Sequence, residues 1–393
     1  MSLRGTAGPI KSVRKLAQAL GLGEDYLKRV ARMDDSLKYK SVTAPAKQDG
    51  QPRQVYSPSP DVRIVQARIV KRFFKNPHVV RWPPYIFGGI HRDALPPGEK
   101  RDHVACAQKH CGARSLLKLD IRNFFDNVNY DMVVELMVQQ LGWTVEPAQL
   151  LADLCTRAGC LPQGGITSSY LALLSLYEVE SHAFRIISYK NLVYTRYVDD
   201  ITISSKVSTY DYAPIVKIIE QGLLSKGLSI NAAKTSIRMS GLEPLLVHGL
   251  NVAHKHPTLP KAEVKRIKAV SRQTVNDAGE EGRRTNGYRK RYHRSMGLVN
   301  KMARVSSTSH KPALDKLKAV RPLPNFIDYE IATETAHTLR SLYASKKTGY
   351  WYWRKFNVLL ARLDLIGIEN PDWAKTLRQY MKNHYKPEFQ GPK

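Results

Sequence analysis

The fold of this 393-residue chain is decided by the stretch Val193-Tyr194-Thr195-Arg196-Tyr197-Val198-Asp199-Asp200-Ile201-Thr202-Ile203-Ser204. Two β-prone runs flank the carboxylate pair with no Gly or Pro between them, which predicts a hairpin turned tightly at the acids. Side-by-side carboxylates in a partly buried turn repel each other unless a cation neutralises them. The pair therefore predicts a divalent-metal platform, and an acidic surface turn is the alternative interpretation.

The composition indicates a globular protein with a polyanionic partner. Hydrophobic residues make up 42% of the chain, enough for a sizeable core in two or three domains. Lys and Arg number 62 against 34 Asp and Glu, a formal charge of +28 that is spread along most of the length. Nucleic acid is the commonest partner for such a charge, and an acidic membrane surface or simple solubility are the alternatives.

The cysteines and the apolar runs indicate the cellular compartment in which the protein works. Cys106, Cys111, Cys155 and Cys160 include no CxxC pair, which favours reduced thiols and argues against a disulfide framework or a zinc knuckle. A zinc set of His110 with two of these cysteines lacks further paired ligands. The sequence shows no signal-type apolar run and no window of the ~18 apolar residues that a membrane span needs. We therefore expect a soluble, cytoplasmic protein.

Cationic features concentrate before residue 75. Asp49-Gly50 between short β-prone segments predicts a hairpin with Lys47 and Arg53 at its mouth, where they could grip phosphate oxygens. A solvated charged turn is the alternative for this hairpin. Residues 62–74 place apolar side chains at helical spacing with cations between them, among them Arg63 and Arg72. Such a basic amphipathic helix faces nucleic acid or merely solvent.

A third acid ends an apolar strand earlier in the chain. Residues 115–119 lead into Asp120, and the aromatic pair Phe124-Phe125 follows. A carboxylate at the end of a buried strand is costly without a cation. We therefore expect Asp120 to be a third metal ligand, with the Ile121 carbonyl as a further oxygen.

Two loops have ligand-binding character. Pro162-Gln163-Gly164-Gly165 precedes hydroxyl residues that open a helix, so that backbone N–H groups can approach a ligand closely. The loop Asn231-Ala232-Ala233-Lys234-Thr235 follows a short strand and presents Lys234. Residues 245–252 predict another hairpin.

The order of these motifs resembles the palm of a reverse transcriptase. The set is the strand ending in Asp120, PQG at 162–164, YVDD at 197–200 and NAAKT at 231–235. The chain is most similar to the bacterial retron-type and related phage-defence reverse transcriptases, over roughly residues 15–310.

Two boxes support that narrower placement, and each departs from the family pattern. Cys106 to His110 stands where retron enzymes have an NAxxH box, with Cys106 in place of the Asn. Val247-His248-Gly249 stands where they have VTG, with His248 in place of the Thr. Ser169 replaces the Pro that usually follows the QGxxxS box, and Val198 replaces the usual Ala of the acidic turn. The chain also extends past the end of a compact retron enzyme.

The resemblance implies an α+β right-hand polymerase of fingers, palm and thumb, with an antiparallel palm sheet and a helical C-terminal extension. The boundaries that it implies are an N-terminal helical cap over 1–38, fingers with interleaved palm elements over 39–118, the palm with the catalytic motifs over 119–255, a basic helical thumb over 256–320 and the extension over 321–393. The polar, Pro-bearing stretch 306–324 predicts a linker or loop.

The resemblance also implies RNA-directed DNA polymerase activity with two Mg²⁺ ions, or Mn²⁺, roughly 3.5–4 Å apart. Asp120, the Ile121 carbonyl and Asp199 would hold the ions, with Asp200 near. One ion would activate the primer 3′-hydroxyl and the other would neutralise the nucleotide triphosphate. Lys234 would be the acid near the leaving pyrophosphate, and a surface lysine is the alternative.

Further positions are implied to contact the nucleotide and the primer. Lys47 and Arg53 would clamp the triphosphate, and Gln163 with the Gly164 backbone would line the nucleotide pocket. Phe125 stands five residues past the first acid, where a bulky side chain crowds the ribose 2′-OH, so deoxynucleotides should be preferred. Residues 247–250 would support the primer end against the palm, and Tyr197, His248 and Gly249 are expected to contact nucleic acid.

The region after Pro260 predicts a duplex clamp. Residues 261–271 form a basic amphipathic helix, and residues 283–294 are dense in cations interleaved with tyrosines. A flexible solvated run is the alternative. The aromatic cluster at 350–353 could stack RNA bases, or pack against the thumb or a second subunit. The cations expected to bind nucleic acid here are Lys265, Arg266, Arg284, Arg289 and Arg291.

The expected partners are a template RNA, implied by the resemblance to be a cognate noncoding RNA, with the cDNA product and dNTPs. A partner defence protein or a homo-oligomer is also open, and no membrane is expected. We favour a retron-like enzyme of antiphage defence over a true retron enzyme that makes RNA-linked multicopy single-stranded DNA. Other classes are a polymerase making RNA or untemplated product, against which Phe125 counts, and an RNA binder with a relict palm, against which the buried acids count.

Overall fold

The chain folds into two compact units, Met1–Thr258 and Leu259–Lys393, in a computed structural model that describes residues 2–43 and 54–389. We call them the N-terminal unit and the C-terminal unit. Together they contain helices and strands in the mixture that the α+β class predicts, so that class is confirmed. Lys47 and Arg53 lie outside the described residues.

The helices of the N-terminal unit begin and end at signals that the sequence contains. Ser12 accepts a hydrogen bond from the Lys15 N–H at the first helix, and Gly21 ends that helix with φ +63. The helices are α1 (Val13–Leu20), α2 (Glu24–Ala31), α3 (Asp35–Lys38), α4 (Pro60–Ile69, continued by a π-helical turn Val70–Phe74), α5 (His103–Lys109), α6 (Phe124–Asn127), α7 (Tyr130–Glu135, continued by a π-helical turn Leu136–Gln140), α8 (Val145–Cys155), α9 (Ser168–Ser175), α10 (Tyr177–Tyr189) and α11 (Ala213–Leu224).

The strands of this unit form a five-stranded sheet in the order β3-β5-β6-β4-β7 and two hairpins, β1-β2 and β8-β9. Their bounds are β1 (Tyr39–Thr43), β2 (Gln54–Pro58), β3 (Ile86–Phe87), β4 (Ser115–Asp120), β5 (Val193–Tyr197), β6 (Asp200–Ser205), β7 (Ser236–Met239), β8 (Leu246–Val247) and β9 (Leu250–Asn251). The sheet is antiparallel except where β3 pairs parallel with β5, which the expectation of an antiparallel sheet did not include.

The register of the sheet places the candidate site. Strand β5 turns directly into β6, so the predicted hairpin at the acids is confirmed. Strand β4 lies antiparallel beside β6, with Asp120 directly opposite Asp200. Side chains alternate between the two faces of a strand, so Thr195 and Arg196 point to opposite sides of the sheet. Both are buried, because helices cover the sheet on each of these sides.

The C-terminal unit is helical in its described residues and has two separate buried clusters. One cluster forms around Ile267, Tyr288 and Tyr292, and the other around Tyr352 and Phe356. Its helices are α12 (Lys261–Asn276), α13 (Glu280–Arg283), α14 (Asn286–Arg304), α15 (His310–Ala319), α16 (Phe326–Lys346), α17 (Tyr350–Ile366) and α18 (Pro371–His384). No helix among the described residues has the length and apolarity needed to cross a bilayer.

The prediction of a linker over 306–324 is wrong, since α15 occupies ten of those residues. Pro312 is the third residue of α15, in the first helical turn, where a missing backbone N–H breaks no hydrogen bond. Leu317 is fully buried and fixes the helix against the first cluster. The prediction failed because Pro312 was interpreted as a helix breaker, whereas a proline in the first turn is compatible with a helix.

Candidate active site

Three carboxylates that are far apart in the sequence meet at one end of the five-stranded sheet. Asp120 ends β4 and Asp200 begins β6, directly across the pair of strands. The Ile121 N–H donates to the Asp199 carbonyl at 3.1 Å, which ties the segment after Asp120 to the turn between β5 and β6. The structure thus brings Asp120, Asp199 and Asp200 together, as the strand pattern led us to expect.

The loop that contains Lys234 holds the first of these acids from both ends. The Asn231 N–H donates to the Asp120 carbonyl at 2.7 Å, and the Asn231 side-chain amide donates to Asp120 Oδ2 at 3.3 Å. The Lys234 ammonium donates to Asp120 Oδ1 at 3.0 Å. The hydrogen bond to Asp120 raises the pKa of Lys234 above its usual value. Lys234 is therefore protonated at neutral pH and stands beside the candidate acid.

The electrostatics of the three acids favour a cation. Burial, followed by the charge of Asp200, raises the pKa of Asp199. The pKa of Asp200 is also raised, by burial first and then by Asp120. Like charges directly opposite on paired strands repel, so a positive ion placed between them would lower the energy of the ionised site.

Oxygen ligands of this kind suit Mg²⁺, with the Ile121 carbonyl available beside them. Among residues 2–43 and 54–389, no three His, Cys, Asp or Glu side chains are already grouped so that they could hold a metal ion. One Asp120 oxygen is instead paired with Lys234, whose side chain is 62% exposed. The residue types fit a Mg²⁺ site, and an ion bound at Asp120 Oδ1 would compete with the exposed Lys234 ammonium for that oxygen.

An open cleft of about 1850 Å³ lies over these residues. Several positions predicted from the sequence line it together, and Phe125 is half-buried in its wall. The predicted residues among its lining are Asp120, Ile121, Phe125, Gln163, Asp199 and Lys234. The cleft therefore collects two of the three predicted acids, two of the predicted nucleotide-pocket side chains and the predicted proton donor in one place.

Gly164 supports the cleft through its backbone conformation. Its φ is +104, a region that residues with a Cβ avoid, and a Cβ there would collide with the Tyr56 carbonyl. The Tyr56 N–H donates to the Gln163 carbonyl at 2.7 Å, so β2 docks directly on this loop. Gln163 Nε2 also donates to Asp126 at 3.4 Å. Glycine at 164 thus permits the close approach that places Gln163 at the cleft.

The turn of the acidic hairpin is strained. Val198 has φ +61, a left-handed conformation that is unusual for a β-branched residue and costs of order 1–3 kcal/mol. Its N–H donates to the Phe87 carbonyl at 3.3 Å, and its carbonyl accepts from Arg196 at 2.8 Å. Hydrogen bonds at both the N–H and the carbonyl of Val198 therefore hold its left-handed conformation next to the candidate catalytic acids.

A buried polar network lies under β5 and β6, and its hydrogen bonds occupy both ring nitrogens through which His110 could bind zinc. The two ring nitrogens of His110 are hydrogen-bonded to the Ser204 and Thr195 hydroxyls at 2.8 and 2.7 Å. Burial lowers the pKa of His110 to about 3, so the imidazole is neutral. Cys106 Sγ lies 3.3 Å from Thr195 Oγ1 and 3.3 Å from His248 Nε2. The two positions that depart from the retron boxes therefore contact each other.

The β8-β9 turn places the predicted primer-end residues beside the acidic hairpin. His248 and Gly249 have φ +48 and +78, as the two central residues of a two-residue hairpin loop of the I′ kind require. The His248 ring lies 4.5 Å from the Tyr197 ring, centroid to centroid. Burial lowers the pKa of His248 to about 4. These three residues are brought together next to Asp199.

The cations predicted to bind nucleic acid fall into two groups. Arg284 donates to Glu369 at 2.6 and 2.8 Å, and Arg289 pairs with the buried Asp328, so both hold α16 and α17 in place. Although burial alone would raise it, the pKa of Asp328 lies below its usual value because Arg289 donates to it. The predicted cations that stay on exposed surfaces are Arg63, Arg72, Lys265, Arg266 (paired with Glu263) and Arg291 (3.6 Å from Asp277).

The sequence reasoning missed residues that hold the site. Asn231 lay in a quoted motif without a role, although its amide contacts Asp120. Arg196 lay in the deciding stretch itself, and a charge inside an otherwise apolar strand was the signal that could have found it. Its partner Glu180 sits in α10, and nothing in the sequence links the two.

Comparison with known proteins places this site in a family. The family model described as reverse transcriptase (RNA-dependent DNA polymerase) matches residues 45–273. The retron Ec48 reverse transcriptase of Escherichia coli is 39% identical over 91% of this chain and 88% of its own length. The retron Se72 reverse transcriptase of Salmonella heidelberg (strain 579083-10) is 27% identical over 94% of this chain and 95% of its own length.

Among solved structures, telomerase from Candida albicans in complex with a TWJ fragment of telomeric RNA covers 68% of this chain and 49% of that one. Its 11% identity and TM-score of 0.32 are too low to support an argument about fold or function. The family match and the relative at 39% identity are decisive without it. This chain belongs to the reverse transcriptase family of RNA-directed DNA polymerases and, within it, to the retron-type enzymes.

Proposed function

We propose that Asp120, Asp199 and Asp200 form the catalytic centre of this polymerase and that the cleft above them receives the primer end and the incoming nucleotide. The observation that supports this most is the pairing of Asp120 with Asp200 across β4 and β6, with Asp199 in the adjoining turn. In this proposal residues 119–255 are the palm, and its sheet also takes β3 and most of β4 from the fingers segment 39–118, as interleaved palm elements. Along the chain a cap (1–38) precedes the fingers, and a basic thumb (256–320) and an extension (321–393) follow the palm.

Two Mg²⁺ ions, or Mn²⁺, are the proposed cofactors, held by the three carboxylates and the Ile121 carbonyl. When bound, they would supply activation of the primer 3′-hydroxyl and neutralisation of the triphosphate. Lys234 is protonated beside Asp120, so its ammonium would be the proton donor for the leaving pyrophosphate. Gln163 lines the cleft and would contact the nucleotide, and the Gly164 backbone would support it from behind through its close packing on Tyr56.

Phe125 is the proposed gate against ribonucleotides. Its half-buried ring lines the cleft and lies 5.9 Å from the Phe124 ring, which is buried and holds it in place. Phe125→Ala should admit ribonucleotides, so the ratio of kcat/KM for dNTP over rNTP should fall about 10- to 100-fold. Tyr189→Ala, which removes an exposed aromatic ring at the end of α10, is the control and should leave the ratio unchanged. An unchanged ratio in Phe125→Ala would place the gate elsewhere.

Primer extension on an RNA template tests the catalytic centre. The purified full chain with an RNA template, a DNA primer, dNTPs and Mg²⁺ should extend the primer. Asp199→Asn and Asp200→Asn should each lower the rate by more than about 1000-fold and leave RNA affinity nearly unchanged. Asp131→Asn, an exposed carboxylate at the start of α7, should remain active. Retained synthesis in the first two variants would remove the metal assignment.

We further propose that the template is a cognate noncoding RNA and that the enzyme acts in bacterial antiphage defence. The Ec48 and Se72 relatives are retron reverse transcriptases, which supports the retron alternative for the product as well. Sequencing the nucleic acids that co-purify with the chain tests this. A defined RNA joined to complementary DNA indicates a retron product, a long or repetitive cDNA a different defence polymerase, and bulk unrelated RNA a binding protein.

A further inference from the structure

A buried arginine connects the acidic turn to three other parts of the N-terminal unit. The Arg196 side chain has no exposed surface. Its guanidinium donates to both Glu180 oxygens at 2.7 Å, to the Leu173 carbonyl at 2.6 Å and to the Val198 carbonyl at 2.8 Å. It also lies over the Phe124 ring, 5.6 Å from the centroid. One side chain therefore touches α10, the end of α9, the turn before the acids and the helix of the proposed gate.

Such a buried ion pair is not explained by stability alone. Desolvating both charges costs free energy that their attraction and hydrogen bonds offset only when the geometry is very good. Apolar pairs of similar volume often stabilise a fold equally well or better. An arginine on β5 with five hydrogen-bond donors in a rigid fork does something that an apolar residue cannot: it supplies a donor to the Val198 carbonyl at a fixed position.

The Val198 carbonyl is where that donor matters. A β-branched residue leaves the left-handed region when nothing holds it there, because its Cβ substituents clash with the backbone. A relaxed Val198 would rotate the peptide that leads into Asp199 and move both carboxylates relative to Asp120. The Phe87 carbonyl holds the other side of this residue, so Arg196 completes the clamp.

We infer that Arg196 is a positioning residue: it fixes Val198 in its left-handed conformation and thereby aligns Asp199 and Asp200 with Asp120. The inference rests on the proposed catalytic function of those carboxylates. Arg196 touches neither substrate nor reacting atoms, and acts through the backbone of the turn. Glu180, with the Tyr194 hydroxyl donating to it at 2.7 Å, orients the guanidinium from behind.

The test uses primer extension by the full chain with Arg196→Lys. Lysine keeps the charge and can satisfy Glu180, but a single ammonium cannot reach Glu180, Leu173 and Val198 at once. We expect kcat to fall about 10- to 100-fold, while the KM for dNTP and the Kd for RNA change less than about twofold. A loss confined to kcat is the signature of a misaligned centre in a folded protein.

Rescue at Val198 separates positioning from a structural role. Glycine adopts the left-handed region without strain. The double variant of Arg196→Lys and Val198→Gly should therefore have a kcat at least about threefold higher than Arg196→Lys alone. The single variant Val198→Gly is measured alongside, so that the recovery in the double variant is expressed relative to Val198→Gly alone. If Arg196→Lys does not fold, the apolar pair Arg196→Met with Glu180→Met, alone and with Val198→Gly, replaces it.

Four outcomes decide the inference. A kcat loss that Val198→Gly restores supports it. Arg196→Lys as active as the parent overturns it, and so does a kcat loss with no recovery on Val198→Gly. Parent chain and Asp199→Asn run in the same assay: an inactive parent or an active Asp199→Asn overturns the proposed function, on which the inference depends, whereas normal behaviour of both leaves that function standing whatever Arg196 does.

Discussion

The two units of the molecule use their charges in different ways. The N-terminal unit has 34 Lys and Arg against 22 Asp and Glu in 258 residues, and the C-terminal unit has 28 against 12 in 135 residues. In the N-terminal unit the decisive charges are few, buried and brought together from distant positions, such as Asp120 and Asp200. In the C-terminal unit they are many, mostly on helix surfaces, and several pair with each other.

This difference separates chemistry from affinity. A carboxylate in a strand at the cleft has its position fixed by the sheet, so its removal changes one reaction step. In the proposed basic thumb, an exposed lysine on α12 would contribute one of many phosphate contacts, so its removal would weaken binding by a small increment. The comparison predicts that variants of the two units fail in different assays.

The largest expected effect comes from Asp120, the acid at the end of β4. Asp120→Asn should lower the rate of DNA synthesis by more than about 1000-fold, because it removes a charged oxygen ligand from the centre, and should leave the Kd for RNA within about twofold. Lys265→Ala should leave the single-turnover rate at saturating RNA unchanged, weaken binding and reduce the salt slope of the affinity by about 1. Lys217→Ala on α11 is the control for a lost surface charge.

Rates and affinities measured together can break this division. Substantial synthesis by Asp120→Asn, or a slower chemical step in Lys265→Ala at saturating RNA, would show that chemistry and affinity are not divided between the units as described.

A second effect sharpens the comparison inside the C-terminal unit. Arg289→Ala should destabilise that unit by about 3 kcal/mol, because it removes one of the two arginine partners of the buried Asp328 and leaves the 2.9 Å pair with Arg362 and the Asn325 N–H. Lys265→Ala is matched to it as an exposed cation and should not shift the unfolding midpoint. Denaturant unfolding of both variants gives the comparison. Equal midpoints would mean that Arg289 is a surface cation available to RNA after all.

The smallest expected effect is a difference in acid sensitivity. The folded pKa of His110, about 3, lies below its unfolded value near 6.5, so the unfolded chain binds more protons in that range. The contribution of His110 to stability is therefore complete above pH 6.5 and declines by roughly 1.4 kcal/mol per pH unit as the pH falls below it. In the C-terminal unit the hydrogen bond from Arg266 lowers the pKa of Glu263 to about 2, so that contribution declines only below about pH 4.5.

Lowering the pH from 6.5 to 5 should therefore reduce the free energy of unfolding of the N-terminal unit before that of the C-terminal unit. His110→Gln retains a donor and an acceptor but cannot titrate, so it should flatten the pH dependence, whereas His293→Gln on exposed α14 should not. The raised pKa values of Asp199 and Asp200 act in the opposite direction and are common to all proteins compared. Equal slopes in the parent and His110→Gln would contradict the assignment of a neutral, buried His110.

The sequence predicted the site correctly where the position of a residue follows from its immediate neighbours in the chain. An acid after an apolar strand and an acid pair between β-prone runs predicted a common site, and the register of β4 and β6 brings them together. Cationic hairpin residues Lys47 and Arg53 remain a prediction, since they lie outside the described residues.

The sequence was uninformative where a partner lies far along the chain. Lys234 is 114 residues from Asp120, and His248 is 142 residues from Cys106, so neither contact follows from local spacing. Counting cations likewise could not show that Arg284 faces Glu369, because which face a helix buries depends on its neighbours.

The central claim is that three acids share one metal centre, and a structure of the full chain with Mn²⁺, an RNA template, a DNA primer and a dNTP tests it most directly. Anomalous scattering locates Mn²⁺ without reference to the protein. We predict peaks in contact with the Asp120 and Asp199 carboxylates, with the Lys234 ammonium no longer on Asp120. Peaks elsewhere, or an intact pair of Lys234 with Asp120 in a complex that has bound the nucleotide, would contradict the account.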